Sequence, residues 1–368
     1  MKKILTAITI LLIISPLAGC KLRKDNPQNI DREAAIKVGG ILIMTGKGSN
    51  WGVQALRGAQ IANEEIGSSL SLIVEDSQYD TKLALSAFEK LTSVDHVDGI
   101  VSMGSGMTLA IAPKLEDKKV IAINAGAVSP KLSGASKYLF NIVPLSTQDS
   151  KFIADQAYQK LDYRRVAMIS SNDEASAGAT QVFQEEFTKL GGVISADEKF
   201  LSTDNDYRTY LLKTQKENPD AIFTVGTSLG AVIKQAREMG IKQPFISNSP
   251  FELPDNITQG GQAVEGVVYS NMKLEEDSPE FQTFQKKYRD KFKTEPSLYS
   301  YTAYDCVKLL YAYLSDCKKD LECVRNKLLT NRFSGLTSNN IIFDEKGEIQ
   351  SAMQLKTVKD GQFVKYEE

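Results

Sequence analysis

The sequence predicts an α/β fold made of two similar halves, each a parallel sheet covered by helices. Three observations carry this. Short apolar runs of strand character alternate with segments of helical period from residue 37 onward. The alternation pauses near residue 146 and then restarts. The chain has 368 residues, 42% hydrophobic and 24% charged, a composition ordinary for globular proteins and a length suited to about two domains.

The elements follow in order. Residues 37–43 read as a strand, and 54–66 as a helix with Ala55, Ala59, Ile61, Ala62 and Ile66 on its apolar faces. A strand at 70–74, a helix at 81–91, a strand at 97–101, a helix at 109–115 and a strand at 120–124 complete the first half. Such β-α-β alternation argues for parallel strands with helices on both faces. The second half opens on Ser146-Thr147-Gln148-Asp149, which has the form of a capping box for a helix at 149–161. Strands are expected at 165–169, 193–199, 221–225 and 244–247. Helices are expected at 179–190, 207–217 and 229–239, the first of them stopped by Gly191-Gly192. Helices at 279–292 and 304–314 follow, and 341–349 reads as a β-hairpin turning on Glu345-Lys346-Gly347.

The first twenty residues carry a separate message. Lys2 and Lys3 precede an apolar run over 4–17, too short to span a bilayer comfortably, and Leu17-Ala18-Gly19-Cys20 closes it. This looks like a bacterial lipobox: a signal peptide over 1–19, a lipid on the Cys20 thiol, and a tether over 20–36. Acyl chains on one residue would anchor the protein outside the cytoplasm, at about 0.8 kcal/mol per buried CH₂. The alternative is an ordinary signal peptide with an accidental cysteine. Lys21 after the cysteine leaves inner membrane, outer membrane and monoderm surface all open. No later segment approaches a spanning length of apolar residues.

Charge and cysteine content narrow the function. The formal net charge is -2, near -4 without the two leader lysines, which argues against a nucleic-acid partner. Cys317 and Cys323 flank a five-residue turn between helical patterns, so outside the cytosol they form a small disulfide or remain two unlinked thiols. Cys306 reads as a buried apolar residue. No metal site is expected, because the cysteines lack paired spacing and His96 is the single histidine. No cofactor is expected either: Gly39-Gly40 and Gly104-Ser105-Gly106 lack the dinucleotide fingerprint, and no Walker loop or nucleophile elbow appears.

Several motifs, weak singly, together suggest a family. They are Thr45-Gly46-Lys47-Gly48-Ser49-Asn50-Trp51-Gly52, Arg57-Gly58-Ala59-Gln60-Ile61-Ala62-Asn63-Glu64-Glu65-Ile66, Glu75-Asp76-Ser77 and Ser105-Gly106-Met107-Thr108. Asn124-Ala125-Gly126-Ala127-Val128-Ser129-Pro130, Gln235-Ala236-Arg237-Glu238-Met239-Gly240, Ala303-Tyr304-Asp305 and Phe343-Asp344-Glu345-Lys346-Gly347 follow in order. From about Lys37 to the last of these, the chain resembles type I periplasmic solute-binding proteins of the leucine/isoleucine/valine-binding branch. The resemblance implies two doubly wound parallel-sheet lobes joined by three hinge crossings. Lobe one would hold 37–146 and 273–338, and lobe two 147–272 and 339–368. Ligands of open α/β sheets sit at the carboxyl ends of the strands, here between lobes that close by a hinge.

Carried over residue by residue, the resemblance implies that Ser105 holds a ligand carboxylate through its hydroxyl and N–H; a simple helix N-cap is the bland alternative. Gly126 and Ala127 match a segment that bonds the ligand through main-chain groups. Val128 stands where amino-acid binders carry a threonine hydroxyl. Trp51 matches an aromatic that packs over the ligand, or else a lid residue between lobes. Tyr301 matches a second pocket aromatic, or else core packing. Lobe two departs more. Ala175 replaces a tyrosine, and the position of the acidic ammonium partner falls on Ser249. Burying an ammonium without a carboxylate is costly, so Glu252, Asp173 or Glu174 substitutes, or the ligand is not an ordinary α-amino acid. Phe251 is a candidate apolar wall, and Thr227 and Ser228 are weaker pocket candidates. The implied function is a lipid-anchored solute-binding protein of an ABC importer, its partners a small solute such as an amino acid, an amide or a carboxylate, and a membrane permease. A ligand-binding sensor of the same fold is the second class. An enzyme is the third, and no motif supports it.

Overall fold

The computed structural model describes residues 35–46 and 48–367. The leader, Cys20 and the tether up to residue 34 lie outside the described residues. No helix among the described residues is long and apolar enough to cross a membrane.

The first sheet holds β1 (Ile36–Leu42), β2 (Leu70–Asp76), β3 (Gly99–Ser102), β4 (Ile121–Asn124) and β5 (Leu139–Asn141). Its order is β2-β1-β3-β4-β5 and every pair is parallel. β3 and β4 are buried throughout, as strands covered on both faces must be. Helices α1 (Ser49–Ile66), α2 (Thr81–Ser93) and α3 (Ser105–Ile111) connect these strands. The second sheet holds β6 (Arg165–Ser171), β7 (Val193–Phe200), β8 (Ala221–Val225), β9 (Phe245–Ser247), β10 (Val268–Met272), β11 (Met353–Lys359) and β12 (Gln362–Lys365). Its order is β12-β11-β10-β9-β8-β6-β7, with β11 and β12 antiparallel. Helices α4 (Asp149–Gln159), α5 (Glu174–Lys189), α6 (Arg208–Lys216), α7 (Leu229–Glu238) and α8 (Pro254–Gly260) belong to it.

The chain crosses between the sheets three times: from β5 to α4, from β10 to α9 (Pro279–Phe292), and from α11 (Leu321–Thr330) back to β11. So α9, α10 (Leu298–Asp316) and α11, late in sequence, complete the first lobe. The second sheet carries a separate apolar cluster on each face. Phe200, Leu211 and Val232 lie in one. Ile153, Phe183 and Phe223 lie in the other, where the Phe183 and Phe223 rings stack at 4.0 Å.

The helix starts differ from expectation in one consistent way. α1, α3, α5 and α10 begin several residues before their apolar period becomes visible. α1 starts after Gly48, which takes the left-handed φ of 102°, and so includes Trp51. α5 is capped by Asp173, whose carboxylate accepts the Ser176 N–H at 2.9 Å. The capping box expected at 146–149 does not form. Ser146 Oγ donates instead to the Val128 carbonyl at 2.8 Å, and Asp149 turns to Ser249 and Ser270. A capping box does form at Ser297 and Ser300, opening α10.

The hairpin expected at 341–349 is also corrected. Its turn closes, with Gly347 N donating to Asp344 O at 2.9 Å. Its flanks, however, make single bridges to Phe333 and Asn141 rather than to each other. The true hairpin is β11–β12, which turns on Asp360-Gly361, both at positive φ, as a two-residue type I′ turn requires. Short β5, β10 and α8 gave no sequence signal. Cys317 and Cys323 are joined in a disulfide that ties the end of α10 to the start of α11, and Cys306 is free and buried.

Asp305 explains one motif of the sequence. Fully buried on α10, it accepts Leu336 N and Thr337 N at 2.8 Å and Thr337 Oγ1 at 2.6 Å. A Cβ at Gly335 would stand 2.6 Å from this carboxylate, so only glycine lets the loop come this close. Burial pushes the Asp305 pKa up to about 6, against the lowering effect of these donors. The folded state therefore holds the proton more tightly than the unfolded chain. That stabilisation is present below the unfolded value and is lost as pH rises through about 6. Asp305→Asn removes the titration. Its stability relative to wild type is expected to improve by about 2 to 3 kcal/mol between pH 4 and 7.5, measured by urea unfolding across that range. A flat difference would refute the assignment.

Candidate functional site

The carboxyl ends of the two sheets face each other across a cleft. Its first wall comes from Trp51 in the opening turn of α1, Tyr79 after β2, Gly104 and Ser105 between β3 and α3, Gly126 and Val128 after β4, and Tyr299 on α10. Its second wall comes from Asp173, Ala175, Ser176 and Ala179 around the start of α5, Val225 and Gly226 at the end of β8, and Asn248 and Pro250 after β9. The space between, open solvent at its mouth included, is about 460 Å³, and the centre of a water molecule can lie in about 30 Å³ of it. Adding a water radius of ~1.4 Å around a rounded space of that size gives a void of roughly 150 Å³, which suits a small aliphatic or single-ring molecule.

Local chemistry fixes the first wall. Asp76 accepts Met44 N at 2.8 Å, Thr45 Oγ1 at 2.6 Å and Gln78 N at 2.8 Å, so one carboxylate joins the loops that carry Trp51 and Tyr79. The Trp51 ring meets Tyr79 edge-on at 5.8 Å and Tyr299 at 6.4 Å. Ser105 Oγ accepts Val128 N and Ser129 N, both at 3.1 Å. It thus shapes the 126–129 loop and keeps its own proton to donate. Gly126 N and Ala127 N are bound by Asn124 Oδ1 at 3.0 and 2.6 Å. Their main-chain N–H groups are thereby used inside the lobe, and the Ala127 carbonyl accepts Asn124 Nδ2 at 2.7 Å. Ala127 is buried and is not part of the cleft wall.

The second wall is short of free charge. Asp173 is the one ionisable carboxylate among the described lining residues, and no lysine or arginine joins it. Its oxygens accept Ser176 N, Ser176 Oγ at 3.1 Å and Ser171 Oγ. Tyr79 faces it from the opposite wall, and burial, with the Asp173 charge nearby, pushes the phenol far above its ordinary range. Asn248 is 1% exposed, and its Oδ1 has no hydrogen-bond partner among the described residues.

Besides Ala127 and Thr227, three expected residues lie outside this cleft. Ser249 Oγ donates to Asp149 at 2.6 Å and points into the lobe. Glu252 is engaged by Lys356 Nζ at 2.6 Å, Asn271 Nδ2 at 2.7 Å and the Tyr269 hydroxyl at 2.8 Å, so it is not an ammonium partner in the cleft. Tyr301 stacks on Phe281 at 4.5 Å, and Gln285 donates to its hydroxyl. Glu252 and Tyr301 both line a separate groove between α8, α9 and the terminal hairpin. Thr227 is buried just past Gly226 with its hydroxyl unpartnered among the described residues. Trp51, Ser105, Gly126, Val128 and Ala175 do line the cleft. Tyr79, Tyr299 and Asn248 were missed. An aromatic at the end of a strand–loop unit, as Tyr79 is after Asp76, was the available signal for one of them.

The walls are clasped together. Glu174 accepts Ser129 Oγ at 3.0 Å and pairs with Lys131 at 3.1 Å, Asn50 bonds Asp255, and Gly178 packs on Pro130.

Two α/β lobes closed over a small, largely apolar cavity, with three chain crossings between them, define a solute-binding protein rather than a catalyst. The chain belongs to the periplasmic binding protein family, whose sequence pattern matches residues 35–362. The Leu/Ile/Val-binding protein of Escherichia coli is 21% identical over 345 residues, 91% of this chain and 93% of that protein. Among solved structures, the leucine-binding protein LivK of Thermotoga maritima superposes with a TM-score of 0.85 at 26% identity, covering 90% of this chain and 98% of that one. LivJ of Streptococcus pneumoniae, a branched-chain amino acid transporter substrate-binding protein solved with isoleucine, gives 0.82 at 25%, covering 89% and 97%. A Rhodopseudomonas palustris solute-binding protein solved with 4-hydroxybenzoate gives 0.82 at 20%, covering 90% and 96%, a likeness of fold alone. All four are named as binding proteins, and the last two as those of transporters.

Proposed function

We propose that this protein captures a small solute of no net charge, an amino acid of the branched-chain type or a related amide, for an ABC importer. The supporting observation is the charge of the cleft. Its described lining holds one carboxylate, Asp173, and no cation, so an anion such as a benzoate would meet repulsion with no opposite charge to offset it. Trp51, Tyr299, Val128 and Ala179 form the apolar part of the lining, and the Ser105 hydroxyl is placed to donate to a carbonyl or carboxylate oxygen. In this reading lobe one is 37–146 with 273–338, lobe two is 147–272 with 339–368, and a lipid on Cys20 holds the pair at the membrane near its permease.

Trp51 is the sole tryptophan, so its fluorescence reports the cleft directly. Detergent-solubilised full-length protein is titrated with leucine, isoleucine, valine, isovaleramide and benzoate, and its melting temperature is followed in parallel. A solute at 100 times its dissociation constant adds about 2.7 kcal/mol, a shift of a few degrees. The expected result is a response to an aliphatic amino acid or amide and none to benzoate. A response to benzoate alone would overturn the proposal. Replacement of Cys20 by alanine is expected to move the protein from the membrane to the soluble fraction.

A further inference from the structure

We infer that Asn248 sets the specificity of the cleft: its Oδ1 receives an uncharged N–H or O–H of the solute, so the cleft favours a neutral amide or hydroxyl over an ammonium. This rests on the solute-binding reading above and names the chemical class that the same site takes.

Asn248 follows β9 and lines the cavity with 1% of its surface exposed. Among the described lining residues, its Oδ1 is the one buried side-chain oxygen without a hydrogen-bond partner. An unpaired buried acceptor is costly unless a bound group satisfies it. The amide is held from behind, where Nδ2 lies 3.5 Å from Ser150 Oγ. The carboxylates that could have received an ammonium are already engaged. Asp173 accepts Ser176 N, Ser176 Oγ and Ser171 Oγ. Glu174 is taken by Ser129 and Lys131, and Glu252 by Lys356, Asn271 and Tyr269. The acceptor in the described lining that has no partner at all is a neutral oxygen. The opposite wall offers the Ser105 hydroxyl, a donor. A primary amide satisfies both ends, its carbonyl oxygen at Ser105 and its N–H at Asn248, and carries no charge to desolvate.

The test compares isovaleramide with leucine on full-length wild type, Asn248→Leu and Asn248→Asp, by Trp51 fluorescence and by the melting temperature of ligand-free protein. Wild type is expected to bind the amide more tightly. Asn248→Leu should weaken the amide by about tenfold or more while keeping or raising the ligand-free melting temperature, since an unpaired polar atom is removed. Asn248→Asp should shift the leucine-to-amide affinity ratio toward leucine by at least about tenfold. Tighter binding of leucine than of amide by wild type overturns the inference and leaves the solute-binding reading standing. So does an unchanged ratio in Asn248→Asp, or a large fall in the ligand-free melting temperature of Asn248→Leu. Absence of any response from wild type overturns both.

Discussion

Gly178→Leu is expected to weaken solute binding by about 100-fold or more while leaving the ligand-free protein as stable as before or more so. Gly178 sits on α5 in the second lobe and faces Pro130 of the first. A Cβ there would overlap the Pro130 ring, and the rest of a leucine has nowhere to go. The clash exists only while the lobes are closed. Within α5 itself the change is favourable, because leucine exceeds glycine in helix propensity by close to 1 kcal/mol. Stability and affinity should thus move in different directions. Overpacking typically costs about 1–3 kcal/mol, and a penalty near 2.7 kcal/mol on the closed state alone lowers apparent affinity about 100-fold. Fluorescence titration gives the affinity, and small-angle scattering should show a larger radius of gyration with saturating solute than wild type shows. Binding within threefold of wild type would mean that capture does not need these two surfaces to meet.

Gly58→Ala is expected to cost about 2–4 kcal/mol of stability, although alanine is the better helix former by about 1 kcal/mol. Gly58 lies where α1 crosses α10, and its missing side chain is replaced by the Ser300 carbonyl. That neighbour is backbone, so it cannot rotate aside. Moving it would also disturb Gln54, a buried residue whose Oε1 accepts the Ser300 hydroxyl at 2.9 Å and the Tyr288 hydroxyl. Urea unfolding followed at Trp51, on the same helix, measures the loss. An unchanged or raised midpoint would show that the helices separate at little cost.

The long buried strands were legible because alternating strand and helix patterns leave few other solutions. Elements that carry the cleft were harder to see, and for a shared reason. The first turns of α1, α3, α5 and α10 hang over the cavity rather than the core, so small and polar residues replace the apolar period that marks a helix. Trp51, Ser105, Ala175 and Tyr299 all stand in those turns. Tyr301 shows how sharp the limit is. It follows Tyr299 by two residues, and at about 100° per residue the two side chains point to different cavities. Glu252 went astray through the tight turn Ser249–Phe251, which carries its carboxylate to Lys356. Asp360-Gly361 was a readable hairpin signal that the more polar Glu345-Lys346-Gly347 displaced.

The order of the crossings bears on how the protein is made. Gln54 and Ser300 touch although 246 residues separate them, and the first core takes side chains from both β1 and α11. The first sheet lacks its covering helices α9, α10 and α11 until residue 330, and the second sheet lacks β11 and β12 until later still. During synthesis the growing polypeptide therefore lacks the partners for a stable lobe until nearly all of it has emerged, and pairings so distant in sequence form slowly. A chain that stays loose until its end arrives is one that can still be threaded through a translocation channel.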